Sequence, residues 1–365
     1  MNKSFIIKQT SFMMFIVFTL FPFRSEAQSY GKTNIVDLAL IYHGGIHRDT
    51  YEWTKERFAP YVMYENLKGQ KNWLFDGFLF LEFKDGKGRN YAPGYDKLNA
   101  RKIEWEWLID RHFEKNKALH ALNEVIADAI GVLGKPHFKH KLVVGIPSPI
   151  RNQKDWGRLH SKELDFSKIE DRVEASKWYI ETFLTRFKQE QLENLELAGF
   201  YWVDEDVRDG KEILIPIGDY IRSTAHQFYW IPYWNAPGNF DWKQFKFDFA
   251  WLQPNHFFNN KVDDTRIDEA CTKAREFNMG MEMEFDDRAL YRADENKRFR
   301  LERYMESFHK NDVWKTSSIA YYQGGDSFYK LATSTEIKDR EIADILATEI
   351  VERKKRKVYN RLVKE

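Results

Sequence analysis

The sequence predicts a single-domain (β/α)8 barrel. Eight short runs of apolar, β-branched and aromatic residues recur along the chain, and most are separated by stretches of helical periodicity. No Gly-rich dinucleotide fingerprint follows the first run, which disfavours the rival topology, an open doubly wound sheet. Alternating strands and helices imply a parallel sheet, and eight strands are the number that closes it.

Taken in order, the first strand is expected over Asn34 to His43 (NIVDLALIYH) and the second over Trp73 to Phe83 (WLFDGFLFLEF). The loop Lys84 to Leu98, rich in Gly and charge, decorates one face, and Ala100 to Gly131 has room for two helices. Lys141 to Pro147 gives the third strand, and the long amphipathic segment Ile169 to Leu192 a helix. Leu195 to Asp204, Gln227 to Tyr233 and Phe247 to Asn255 give strands four to six. A helix over Thr265 to Phe277 opens on a capping-type Thr and carries Ile267, Ala270 and Ala274 on one stripe. Asn278 to Phe285 is the seventh strand, Arg298 to Phe308 a helix, and Ser317 to Gln323 the eighth strand. A last helix runs from Ile337 into a basic tail (Arg353, Lys354, Lys355, Arg356), which reads as a solvated helix face.

The N-terminus reads as a secretory signal over residues 1–27. Lys3 and Lys8 precede an apolar run from Phe12 to Phe23, and Ser25-Glu26-Ala27 fits a small-x-small cleavage site. The run is shorter than the roughly 20 apolar residues of a membrane-spanning helix. Cleavage after Ala27 leaves residues 28–365 as the barrel domain, in the periplasm or outside the cell. The segment takes a net +2 with it (Lys3, Lys8, Arg24, Glu26), so the overall charge of +1 becomes about −1. A near-neutral chain has no electrostatic case for nucleic acid or for an anionic membrane surface. Cys271 is the only cysteine, so no internal disulfide forms and stability rests on the core. Aromatic residues make up 16% of the chain, which serves either a bulky core or a binding surface of flat amphipathic rings.

In a (β/α)8 barrel the active site lies at the C-terminal ends of the strands. Strand seven is the most informative. Its period of two sets Met279, Met281, Met283 and Phe285 on one face and Gly280, Glu282, Glu284 and Asp286 on the other. The apolar face meets the helices, so the acidic face points into the barrel mouth, where like charges raise at least one carboxyl pKa. An interior salt bridge is the structural alternative. After strand four, Asp204 and Glu205 are adjacent and only one faces inward in a regular strand. Alternation favours Asp204, in register with Phe200 and Trp202, whereas a bulge at the strand end would re-aim Glu205. Carboxylates after strands four and seven, opening onto one mouth, are what glycoside hydrolysis needs: one protonates the leaving oxygen, the other attacks or stabilises an oxocarbenium-like centre. Trp202, Tyr233 and Tyr321 offer stacking faces, and His43, Glu82, Gln253, Asn255 and Gln323 offer hydrogen bonds to hydroxyls.

At these residues the chain resembles a known family. The runs YHGGIHR (Tyr42–Arg48), WLFDGFLFLEF, GFYWVDED (Gly199–Asp206), FYWIPYW (Phe228–Trp234), QPNHFF (Gln253–Phe258) and NMGMEMEFD (Asn278–Asp286) are similar to the exported bacterial proteins grouped as domain of unknown function 4855. The resemblance covers nearly the whole mature chain. It implies a setting among bacteria that degrade polysaccharides, not a reaction.

The reading that follows is a secreted glycoside hydrolase with Glu284 as nucleophile and Glu205 as acid/base, Asp204 and Glu282 being alternates for these roles. It takes a carbohydrate substrate and needs neither cofactor nor metal. A non-catalytic glycan-binding barrel is the main alternative. A metal-dependent hydrolase would have to use His43, His47 and Glu82, but Gly44 and Gly45 argue for a loop there, and no HExxH cluster is present. No G-x-S-x-G elbow supports a serine hydrolase.

Overall fold

The structure, a computed structural model, describes residues 29–43 and 51–355. The expected signal segment, the glycine pair after the first strand together with His47, and Arg356 of the basic tail lie outside these residues.

Each expected apolar run forms a barrel strand. They are β1 (Asp37–Tyr42), β2 (Gly77–Leu81), β3 (His140–Ile146), β4 (Leu195–Trp202), β5 (Gln227–Trp230), β6 (Phe249–Leu252), β7 (Gly280–Glu284) and β8 (Ile319–Tyr322). All neighbours pair in parallel, and β1 pairs with both β2 and β8, so the sheet closes in chain order. A closed barrel has no free edge, and its pleat divides every strand between two cores. Leu38, Leu40, Leu79, Val143, Tyr229 and Trp251 fill the inside. Ala39, Ile41, Phe78, Phe80, Phe228 and Met281 pack outward against the helices.

The helices are α1 (Lys55–Val62), α2 (Lys102–His112), α3 (Ala118–Leu133), α4 (Ile169–Glu190), α5 (Lys211–Ser223), α6 (Thr265–Glu276), α7 (Arg298–Lys310), α8 (Val313–Thr316), α9 (Ser327–Thr333) and α10 (Ile337–Lys355). The two helices expected between residues 100 and 131 are α2 and α3. Asp264, not Thr265, holds the cap position of α6. The β4–β5 connection, α5, contains Pro216, which lacks an N–H and masks the helical pattern in the sequence.

Only part of the basic tail is the expected solvated face: Lys355 is exposed, but the two residues before it are not. Arg353 and Lys354 are buried, because α10 closes the end of the barrel at which the strands begin. Arg353 pairs with Asp37 at 3.0 Å and donates to the carbonyls of Trp314 and Ser317 at 2.7 and 2.6 Å. Lys354 reaches the other oxygen of Asp37 at 3.2 Å. Asp76 caps the start of β1 by accepting from the backbone of Val36 and Asp37. A buried charge is stable only when paired and hydrogen-bonded, and Asp37 is both.

Candidate active site

The mouth at the C-terminal ends of the strands is built on β7. Met279, Met281, Met283 and Phe285 join the outer core, so Gly280, Glu282 and Glu284 face inward. Gly280 is required there, because a Cβ would stand 2.5 Å from the indole of Trp251 inside the barrel. Glu282 is 2% exposed and Glu284 fully buried, so both lie beneath the mouth rather than on its surface.

The two carboxyls have different partners. Oε2 of Glu284 accepts from the backbone N–H of His256 at 2.9 Å and from the hydroxyl of Tyr304 on α7. Oε2 of Glu282 has no hydrogen-bond donor among the described residues, and neither has Oε1 of Glu284. Burial raises the pKa of both, and for Glu282 the charges of Glu284 and Glu205 raise it further.

Glu205 comes from the end of β4 and is half-buried on the wall of a cavity of about 650 Å3. Ala92, Pro93 and Tyr95 of the loop after β2, Arg151 after β3, Asp204 to Asp206 with Arg208 and Asp209 after β4, and Tyr233 after β5 complete the lining. Tyr95 is held by stacking on Phe83, with ring centroids 4.2 Å apart. Arg208 clamps Asp206, and the buried Arg172 of α4 holds Asp209 at 2.9 Å and the Pro149 carbonyl at 2.7 Å, so the β4 loop is fixed by one ion pair within it and one to α4. Asp204 also lines the cavity. It accepts the Ser148 hydroxyl at 2.8 Å, and burial pushes its carboxyl well above the usual range.

Asp204 and Glu205 share the cavity wall, and Glu282, buried on β7, is within electrostatic reach of both Glu205 and Glu284. Tyr233 lines the cavity, and its isolated bridge to Gln253 carries the β5–β6 ladder upward. Gln253 follows Leu252, the partner of Met281, and its side chain stands beside Glu284. Its amide donates to Asn255 at 2.7 Å; Asn255 is half-buried, in the left-handed region at φ 54°.

The other five expected substrate contacts face away from the mouth. His43 packs against Phe80 and His112, with Nε2 at 2.9 Å from the Arg111 carbonyl, and burial lowers its pKa to about 4. Glu82 is buried and accepts from the next backbone N–H, that of Phe83. Trp202 is sealed in the outer core against Gly210. Tyr321 donates to Asp37 at 2.7 Å. Gln323 accepts from Tyr61 at 2.6 Å and donates to the Leu40 carbonyl. The cause is common to all five: each lies one position out of phase with an inward residue. The inward neighbours are Tyr42, Leu81 and Phe83, Tyr201 and Val203, and Tyr322. On β4 the register shifts between Leu197 and Gly199, where a Cβ on Gly199 would stand 1.9 Å from the Gln227 carbonyl oxygen. That irregularity turns Phe200 and Trp202 outward and Tyr201 inward.

Sequence reading missed Tyr95, Tyr201, Arg208 and Tyr304. Tyr201 was findable from the pleat once the bulge is known; Tyr304, on a helix and 20 residues beyond Glu284, had no local signal. Among the described residues no group of three or more His, Cys, Asp or Glu could hold a metal ion, and no helix is long and apolar enough to cross a membrane.

A family model, Domain of unknown function (DUF4855), matches residues 37–348, which span all eight strands. The chain belongs to this family. No curated protein matches it. Among solved structures, DUF4855 in this chain is similar to a candidate alpha-L-fucosidase from Bacteroides thetaiotaomicron, at 11% identity over 98% of this chain and 100% of that one, with a TM-score of 0.42. A mutant tryptophan synthase alpha-subunit from Pyrococcus furiosus matches at 9% identity over 88% and 99%, with a TM-score of 0.41. Likenesses this distant carry no argument about activity, because one barrel hosts many chemistries. The strand order itself establishes the barrel.

Proposed function

We propose that this DUF4855 protein is an exported glycoside hydrolase that cleaves a polysaccharide or oligosaccharide with two carboxyl groups and retention of configuration. The observation that carries the reading is the convergence of Glu205, on the cavity wall at the end of β4, with Glu282 and Glu284 on β7, close enough that the charge of Glu205 acts on Glu282. In this reading Glu205 protonates the leaving oxygen and then activates water. Glu284, whose donors favour its ionised form, attacks the anomeric carbon. Glu282 and Asp204 hold hydrogen-bonding protons beside them. Tyr95 and Tyr233 flank the sugar. Because Glu284 is sealed, productive binding must part the side chains over it. Export to the periplasm or beyond is supported by the N-terminal sequence alone.

The full burial of Glu284 favours a second reading, a glycan-capture barrel in which the β7 carboxyls only hold the loop after β6. Incubation with plant and host polysaccharides, read by chromatography and by retention on glycan affinity gels, separates the two. New reducing ends support the hydrolase. Retention on a glycan without cleavage supports capture and removes the hydrolase.

A further inference from the structure

Glu282 and Glu284 stand two residues apart on the inward face of one strand, which sets their backbones about 6.6 Å apart at a strand rise of about 3.3 Å per residue. Neither has solvent to screen it. Two like charges at that range in a dry site do not both persist, so the pair holds at least one proton at neutral pH.

The surroundings decide which residue holds it. Around Glu284 stand the Tyr304 hydroxyl and the His256 N–H, both donating to Oε2, with the Arg300 guanidinium of α7 within electrostatic reach. Around Glu282 stand the carboxyls of Glu284 and Glu205, the phenol of Tyr201, and Ala320 as its neighbour on β8. Each carboxyl has one oxygen without a donor, so the difference lies in the two donors on Oε2 of Glu284, which stabilise a carboxylate, and in the acids around Glu282, which stabilise the protonated form. Tyr304 is itself buried beside two carboxyls and stays protonated, so it is a permanent donor. Arg300 cannot pair with Glu284 directly, because its guanidinium is occupied by the carbonyls of His256, Asn259 and Val262.

We propose that Tyr304 is a positioning residue that keeps Glu284 ionised and thereby assigns the single proton of the pair to Glu282. The assignment acquires catalytic meaning from the hydrolase reading, since it makes Glu284 the nucleophile and Glu282 a neutral donor, but it stands on hydrogen bonds that exist without substrate.

The test is infrared difference spectroscopy of the full chain at pH 7, without ligand. Wild type minus Glu282→Gln is expected to show a protonated-carboxyl band, and wild type minus Glu284→Gln to show only carboxylate. Tyr304→Phe minus Tyr304→Phe/Glu284→Gln is expected to show that Glu284 has become protonated. A protonated Glu284 in the wild type overturns the proposal, as does an ionised Glu284 in folded Tyr304→Phe, the result expected of a merely structural tyrosine. If Tyr304→Phe does not fold, the wild-type differences still decide where the proton lies. An inactive protein with the expected spectra would remove the hydrolase and keep this assignment; an active hydrolase with the reverse spectra would do the opposite.

Discussion

Glu282 and Glu284 share the inward face of β7, yet Oε2 of Glu284 receives two donors while Oε2 of Glu282 receives none among the described residues. A carboxyl kept in such a place is bad for stability once the pH favours its charge. Its folded pKa is raised above 4.5, so its contribution is favourable below that pH and is lost as pH rises through the folded value. Glu282→Gln is therefore expected to stabilise the protein by about 1 kcal/mol at pH 8, with little gain at pH 4. Urea denaturation at the two pH values checks this; a destabilised variant at pH 8 would contradict it.

His43 gives the opposite pH dependence. Sealed in the outer core, it titrates near pH 4 instead of 6.5. The unfolded chain binds its proton first, so stability is fully present above pH 6.5 and falls as the pH drops towards 4. At about 1.4 kcal/mol per pKa unit the loss is about 3 kcal/mol. His43→Asn should flatten that part of the curve of denaturation midpoint against pH. An unchanged slope between pH 6.5 and 4 would show that His43 does not carry it.

Arg353 on α10 holds Asp37 at the base of the barrel. Removing one partner of a buried pair strands the other. Arg353→Met is expected to destabilise by about 3 kcal/mol, at the low end of the usual range because Lys354 still reaches Asp37. Denaturant titration reads this directly, and restoring neutrality with Asp37→Asn should recover part of the loss.

Tyr233 lines the cavity and supports no buried core. Tyr233→Ala is expected to weaken glycan binding by about 1 kcal/mol, roughly five-fold, with an unchanged melting temperature. Calorimetric titration of a bound glycan measures it. An unaffected Kd would move the sugar away from this wall.

The barrel was legible because period-two patterning and strand spacing are local properties. All eight runs became strands within a few residues of their expected ends. The acidic face of β7 was legible for the same reason, since four large apolar residues fix which side meets the helices. The remaining site residues were harder, because choosing a polar residue at a strand end ignores phase. His43, Glu82, Trp202 and Tyr321 are each one step from a residue that does face the mouth. On β4 even correct phase would have failed, since the shift at Leu197–Gly199 reverses it. The buried ends of α10 misled for another reason: Arg353 and Lys354 look like surface charge until Asp37 is brought beneath them.

The chemistry proposed for this barrel is cleavage of a glycosidic bond by Glu205 and Glu284 together. The most direct measurement is chromatographic product release from a polysaccharide panel by wild type, Glu205→Gln and Glu284→Gln, each confirmed as folded by circular dichroism. Products are expected from wild type, with a loss of at least about a hundred-fold in both variants. Equal product release by all three proteins would contradict it.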